Sequence, residues 1–209
     1  MEFNLEGILS VLSVVITSWF TYNQYTKNKM TDYKIEKFKK EEGERYHKRA
    51  ENGAKVFGQI WKILYNLGAD RVYIVQPHPL GHPAYYTIQF EVKDDGVDGV
   101  ADQIQFMSMG DVPLFSTQMA ENLYLYIEDI DKGIEDVMAK SIFLSNGCKG
   151  VIIKRLNSHT DWNGSIICEF MDSIPIDSDK AREVLHKAAI SIQYILPPVI
   201  EKEKKKREA

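Results

Sequence analysis

The sequence predicts an α+β protein in which one antiparallel central sheet of about five or six strands lies between flanking N- and C-terminal helices. A single transmembrane helix is predicted to precede this domain. Three observations support the prediction: a helical period begins near residue 50, short β-branched or alternating runs follow it, and twenty consecutive residues near the N-terminus carry no charge. With 209 residues, the chain has room for one domain and its appendages.

The uncharged run covers residues 7–26, "GILSVLSVVITSWFTYNQYT". As a helix rising about 1.5 Å per residue it would be roughly 30 Å long, the thickness of a bilayer core. Trp19, Tyr22 and Tyr25 cluster at one end, where aromatic side chains meet the membrane interface. A signal peptide is disfavoured because no basic residue precedes the run. A buried helix of a soluble core remains an alternative, since serine and threonine dilute the hydrophobicity. We expect a helix that spans the lipid bilayer.

The basic residues predict the orientation of this helix. None precedes it, whereas nine lysines and arginines lie in residues 27–49. The positive-inside rule therefore predicts a short extracytoplasmic N-terminus, residues 1–6, and a single-pass membrane protein with a cytoplasmic C-terminal domain. Residues 27–49 are polar and lack proline, which predicts a basic juxtamembrane helical stalk. Cys148 and Cys168 are too few for a disulfide framework and fit a reducing compartment.

A helix with two apolar stripes is predicted from residue 50 to a glycine stop at Gly68. The first stripe contains Ala50, Ala54, Phe57, Trp61 and Leu64, and the second contains Val56, Ile60, Ile63 and Leu67. One stripe is expected to face the sheet of its own domain. The other is left for a second helix or a second subunit.

The remaining elements follow in order along the domain, which is predicted to cover residues 50–196. The predicted strands are 71–76, 85–92, 103–109, 124–130, 149–157 and 164–173, and the predicted helices are 113–123, 134–147 and 177–196. The first two strands and the last two are expected to form hairpins. Residues 197–209 are predicted to be a charged tail.

The stretch "QPHPLGHPAYY", residues 76–86, carries two histidines four positions apart among three prolines. Histidines at this spacing share a face only on a helix, and the prolines are incompatible with one. The stretch is therefore interpreted as a stiff turn between two strands, not as a metal site.

The second half of the domain resembles a GAF domain. The resemblance rests on "YLYIEDI", "SIFLSNGCKGVIIKRL" and "WNGSIICEF", and it extends over about residues 53–196. PAS-like sensor domains share much of this topology. The cysteine and histidine that carry a tetrapyrrole in phytochrome-type members have no convincing counterpart, and the pattern of cyclic-nucleotide-binding members is absent.

The resemblance implies a pocket between the sheet and its covering loops. The predicted lining consists of Phe90, Phe106, Met107, Met109, Phe115, Tyr124 and Tyr126, and the same side chains are equally suited to filling the space. The resemblance also implies a homodimer through a four-helix interface on the opposite face of the sheet. The predicted interface residues are Ala54, Phe57, Trp61, Leu64, Leu185 and Ile192.

No catalytic residue, cofactor or metal site is predicted. No P-loop, nucleophile elbow or HExxH motif is present, and a net charge of −4 gives no sign of nucleic-acid binding. The leading hypothesis is a non-enzymatic, membrane-anchored cytoplasmic sensor or adaptor that binds a small ligand or a protein partner. The rival hypothesis is a holin-like, self-assembling membrane protein whose soluble domain regulates assembly.

Overall fold

The computed structural model describes residues 5–79, 83–158, 161–197 and 199, with side chains described from residue 17 onward except at 158 and 161. The chain divides into two units, Met1–Ala50 and Glu51–Ala209. Apart from residues 197 and 199, the predicted charged tail lies outside the described residues.

The first helix, α1, comprises Leu5–Leu67 and is 63 residues long. It contains both the predicted membrane span and the predicted stalk, and the side chains of residues 7–16 lie outside the described part. Among the described residues, no helix is both long enough and apolar enough to cross a membrane. The helix ends where Gly68 adopts a positive φ of 62°, a conformation that glycine adopts without steric cost.

A six-stranded antiparallel sheet forms the centre of the second unit. Its strands are β1 (Arg71–His78), β2 (Tyr85–Lys93), β3 (Gln105–Ser108), β4 (Tyr124–Ile127), β5 (Gly150–Ser158) and β6 (Asp161–Phe170), in the spatial order β3-β2-β1-β6-β5-β4. Both predicted hairpins, β1–β2 and β5–β6, are present. The predicted α+β class and the number of strands are confirmed.

Four further helices complete the unit. They are α2 (Pro113–Glu121), α3 (Ile130–Gly133), α4 (Val137–Ser145) and α5 (Ser178–Ile192). The predicted strand 124–130 is shorter in the structure because Asp129 caps α3, accepting a hydrogen bond from the Asp131 amide at 3.0 Å. The other predicted helices are present with boundaries shifted by a few residues.

Each face of the sheet carries its own hydrophobic core. On the helix face, the end of α1 and all of α5 pack against the strands, and the second stripe of α1 (Val56, Ile60, Ile63 and Leu67) is buried there. On the cavity face, α2, α3, α4 and the loop before β3 pack against the strands. Cys148 belongs to the cavity-face core and Cys168 to the helix-face core, so the two buried thiols lie on opposite sides of the sheet.

Candidate ligand cavity

A small enclosed space lies on the cavity face, between the sheet and helices α2 and α4. Its volume is about 30 Å³, and one water molecule needs roughly 10–15 Å³ by the same measure. The wall consists of Tyr73, Val75, Tyr86, Ile104, Met107, Val112, Phe115, Met119, Ala139, Ile142, Phe143 and Ile167. These side chains are apolar except for two phenols, so the space suits an uncharged occupant.

The two phenols on the wall have different surroundings. The Tyr73 hydroxyl donates to Glu169 at 2.5 Å, and burial raises the pKa of Tyr73 well above its usual value. Tyr86 is fully buried, and burial raises its pKa to about 12 against a smaller opposite effect of Ser116. Both phenols therefore remain protonated at neutral pH and present O–H groups to the inside of the domain.

A buried ion pair lies behind the wall. Arg71 is fully buried, Glu169 is 2% exposed, and their guanidinium and carboxylate groups are 2.5 Å apart. Arg71 also donates to the Asp98 carbonyl, in the loop between β2 and β3. Burial raises the pKa of Glu169, and the charge of Arg71 opposes this effect. The same carboxylate bonds to Tyr73, so the wall is joined to the ion pair.

The loop before β3 is held by a second carboxylate. Glu91 accepts hydrogen bonds from the amides of Val100 at 2.7 Å and Ala101 at 3.2 Å. Because Ile104 follows a few residues later and lines the cavity, these bonds help to position the wall.

Helices α2 and α4, here called the cover helices, are held at their N-termini by one buried side chain. Asp136 is 5% exposed, and its Oδ1 accepts from the amides of Met138 and Ala139 in α4, each at 3.1 Å. Its Oδ2 accepts from the amides of Leu114 at 3.0 Å and Phe115 at 3.3 Å in α2. One carboxylate therefore caps two helices, which favours a negative charge at both N-termini.

The C-terminal end of α2 is held by a cation. The Arg155 guanidinium donates to the Ala120 carbonyl, and it also lies 5.8 Å from the Trp162 ring. Trp162 is half-buried, donates to the Gly164 carbonyl at 2.9 Å and packs edge-to-face on Tyr86. These contacts give Trp162 a packing role next to the cavity.

The structure brings only some of the predicted pocket residues together. Met107 and Phe115 lie on the cavity wall, and Met109 packs against the same core without lining the space. Phe106 has a φ of 55°, is 44% exposed and contacts the His78 ring edge-to-face at 5.1 Å. Its side chain lies at the β3 edge of the sheet and does not line the cavity.

The assignment of Phe90 to the pocket is corrected. The β1–β2 ladder pairs Ile74 with Phe90 but Val75 with Ile88, so a bulge lies between these pairs. A bulge reverses the alternation of side chains along a strand. Ile88 and Tyr86 therefore face the cavity, whereas Phe90 faces the helices.

Tyr124 and Tyr126 are likewise corrected. They pair with Lys154 and Ile152 and lie on the helix face. Their hydroxyls donate to the carbonyls of Ser178 at 2.9 Å and Ile176 at 2.7 Å, at the start of α5.

Three of the predicted interface residues are also corrected. Leu64, Leu185 and Ile192 are at most 3% exposed because they pack against the sheet of their own subunit. Ala54 is exposed, and Phe57 and Trp61 are 39% and 40% exposed. The exposed remainder of the first stripe is therefore confined to α1.

The proline-rich stretch connects two strands, as predicted, although β1 continues to His78. The His78 imidazole lies 2.9 Å from the Thr87 hydroxyl. His82 lies outside the described residues. Within the described ranges, no cluster of three histidine, cysteine or acidic side chains is arranged to hold a metal ion.

Most of the cavity wall was not predicted from the sequence. Tyr73, Val75 and Tyr86 lie on strands that were recognised, but their orientation depends on the sheet register. Phe115 and Met119 are four residues apart on α2, and this helical spacing is the signal from which their common face could have been inferred.

Comparison with solved structures shows a GAF-like fold. No protein-family model and no curated protein matches the sequence. The blue-light-absorbing form of the PixJ GAF domain of Thermosynechococcus elongatus is similar with a TM-score of 0.58 and 10% identity, over 71% of this chain and 88% of that one. The phycocyanobilin-bound GAF domain of a cyanobacterial phytochrome is similar with a TM-score of 0.54 and 14% identity, over 73% and 90%.

Proposed function

We propose that this chain is a non-enzymatic sensor or adaptor whose GAF-like domain binds a small, uncharged molecule in the cavity. The observation that carries the proposal is the enclosed apolar space beneath two cover helices that share one cap, Asp136. Movement of either helix would be transmitted to the other through this carboxylate. A ligand that displaces the cover would in this way alter an exposed surface.

A bilin, the ligand of the phycocyanobilin-bound neighbour, does not fit this cavity. A space of about 30 Å³ is far too small for a tetrapyrrole, and no charged side chain lies on the wall among the described residues. Neither cysteine is on the wall, and burial raises the pKa of both thiols, which disfavours the nucleophilic thiolate. The proposed ligand is therefore of a different and smaller class.

Native mass spectrometry of the full-length chain tests the ligand proposal, since it reports any retained small molecule. Ala139→Leu adds volume at the cavity wall, and Ala181→Leu adds the same volume to the helix-face core as a matched control. We expect a retained mass that is lost from the first variant and kept by the second. Retention of no mass by the wild type, or equal loss from both variants, would contradict the proposal.

Membrane attachment is part of the same proposal. It is supported by the uncharged run at 7–26 and by the nine basic residues that follow it, and it gives a single-pass protein with a cytoplasmic domain. Wild-type protein should sediment with membranes, and deletion of residues 1–26 should release it. Recovery of the intact chain in the soluble fraction would contradict attachment. Growth arrest with loss of membrane potential on expression would instead support the holin-like rival.

Homodimerisation is proposed through the exposed part of α1. Trp61 stacks on Tyr65 with ring centroids 5.7 Å apart, and Ala54 lies two turns before Trp61 on the same side of the helix. Two copies tethered to one membrane would also have a raised effective concentration.

A further inference from the structure

A second groove lies on the helix face of the sheet, where β4 and β5 meet α5. Tyr124, Lys154, Arg182 and His186 are among the side chains that line it. It is separated from the ligand cavity by the sheet, and its function does not depend on the ligand proposal.

The groove has a rigid centre. Tyr124 lies directly opposite Lys154 in the β4–β5 ladder, so both side chains are on the same face of the sheet. The Tyr124 hydroxyl donates to the Ser178 carbonyl at 2.9 Å, which fixes the ring. The Arg182 guanidinium lies 4.8 Å from the centre of this ring, a cation–π contact that fixes the guanidinium.

Two cations therefore meet in the groove without a carboxylate between them. Neither Lys154 nor Arg182 takes part in an ion pair within the described part of the chain. Lys154 is half-buried, and its pKa is lowered first by burial and then by the charge of Arg182. Two like charges held close together by the β4–β5 ladder and α5 repel each other, and an anion placed between them would remove this repulsion.

Three carboxylates also line the groove, and they limit the size of the anion. Glu183 is bound to Lys187 at 2.6 Å, whereas Asp179 and Glu121 form no ion pair among the described residues. An extended polyanion would meet these carboxylates, but a compact group seated between the two cations would not.

We propose that Lys154 and Arg182 bind a single phosphoryl group. A guanidinium offers two parallel N–H donors to a phosphate, and an ammonium adds a point charge, so the pair matches this anion. His186 follows Arg182 by four residues, lies on the same side of α5 and supplies a further donor. The phosphoryl group belongs either to a soluble metabolite or to a lipid headgroup.

Calorimetric titration of the full-length protein in a neutral detergent tests the proposal with two probes. Inorganic phosphate represents the soluble source, and dihexanoyl phosphatidic acid represents the lipid source. We expect saturable binding of at least one probe, weakened about tenfold by Lys154→Gln or Arg182→Gln, which corresponds to roughly 1.4 kcal/mol each. Similar affinity for both probes indicates a soluble source, and binding of the lipid alone indicates a headgroup.

The controls separate a built site from general charge. Lys149→Gln removes the same charge immediately before β5, where Lys149 pairs with the exposed Asp172 at 2.8 Å, and it should leave binding unchanged. Lys154→Arg keeps the charge and should retain binding, and circular dichroism shows that each variant is folded. Absence of saturable binding of both probes, or equal weakening by Lys149→Gln, overturns the proposal.

Discussion

The two faces of the sheet are stabilised in different ways. On the helix face, aliphatic residues of α1 and α5 pack directly on the strands, and this core contains no buried ion pair among its described residues. On the cavity face, short helices and a loop are held by hydrogen bonds to a few buried charges: Asp136, Glu91, and the pair Arg71–Glu169. The first arrangement is insensitive to small movements, whereas the second depends on specific bonds.

This difference indicates where the domain can change shape. Long helices bury a continuous stripe, so their displacement would expose much apolar surface at once. The cover helices have nine residues each and leave an unfilled space beneath them. Local opening therefore costs less on the cavity face.

The largest expected effect comes from breaking the buried ion pair. Arg71→Ala leaves Glu169 buried without its cation, and we expect the free energy of unfolding to fall by about 3–5 kcal/mol. The triple variant Arg71→Met, Glu169→Leu, Tyr73→Phe removes all three polar partners together and should recover most of this loss. Chemical denaturation measures both. Equal destabilisation by the single and triple variants would show that the charges themselves are required.

Truncation of matched core residues compares the two faces directly. Leu185→Ala on the helix face should cost about 3 kcal/mol, because α5 cannot move inward without losing its other contacts. Met119→Ala on a cover helix should cost about 2 kcal/mol, since α2 can relax towards the cavity. The measurement is again chemical denaturation. A larger cost for Met119→Ala would contradict the proposed plasticity of the cavity face.

Removal of the shared cap should loosen both cover helices. Asp136→Ala leaves four amides without their acceptor, and we expect a loss of about 2 kcal/mol. Hydrogen exchange should accelerate in α2 and α4 together and remain unchanged in α5. Asp177→Ala, which removes the single cap of α5, is the control and should accelerate exchange in α5 alone. Faster exchange in only one cover helix would show that the two are not coupled.

Alkaline pH should destabilise the cavity face through Tyr86. Its pKa is about 12 in the folded state against 10.0 as the reference, so the phenol ionises more readily when the protein unfolds. Stability is therefore unaffected well below pH 10 and falls as the pH rises towards 12. At pH 11 the contribution is roughly one pKa unit, or about 1.4 kcal/mol. Tyr86→Phe should lose less stability than wild type between pH 9 and pH 11, and equal losses would contradict this assignment.

The sequence was sufficient for the fold but not for the cavity. Alternation and helical spacing identify the strands, the hairpins and the buried stripe of α1, because each depends on neighbouring residues. The face on which Phe90 lies depends on a bulge, which appears only when the β1–β2 register is known. The role of Asp136 depends on α2 and α4 meeting at their N-termini, a contact between segments about twenty residues apart.

The smallest effect on stability is expected on the exposed side of α1, where the change should affect association instead. Phe57 contacts Phe90 at 5.1 Å, so its replacement would also disturb the core. Ala54→Lys with Trp61→Lys avoids this contact and should change the free energy of unfolding by no more than about 0.5 kcal/mol. Sedimentation of the full-length protein in detergent should show a dimer for the wild type and weaker association for the variant.

A cysteine introduced at Gly58 distinguishes this contact from association through the N-terminal part of the chain. Gly58 is exposed, no atom lies within 4 Å of a Cβ at this position, and both native thiols are buried. Mild oxidation should link two copies through Gly58→Cys because the proposed interface brings these helices together. Val137→Cys, 82% exposed on α4, should give little linkage. Equal linkage at both positions, or linkage at Gly58→Cys that persists in the Ala54→Lys, Trp61→Lys background, would contradict an interface on α1.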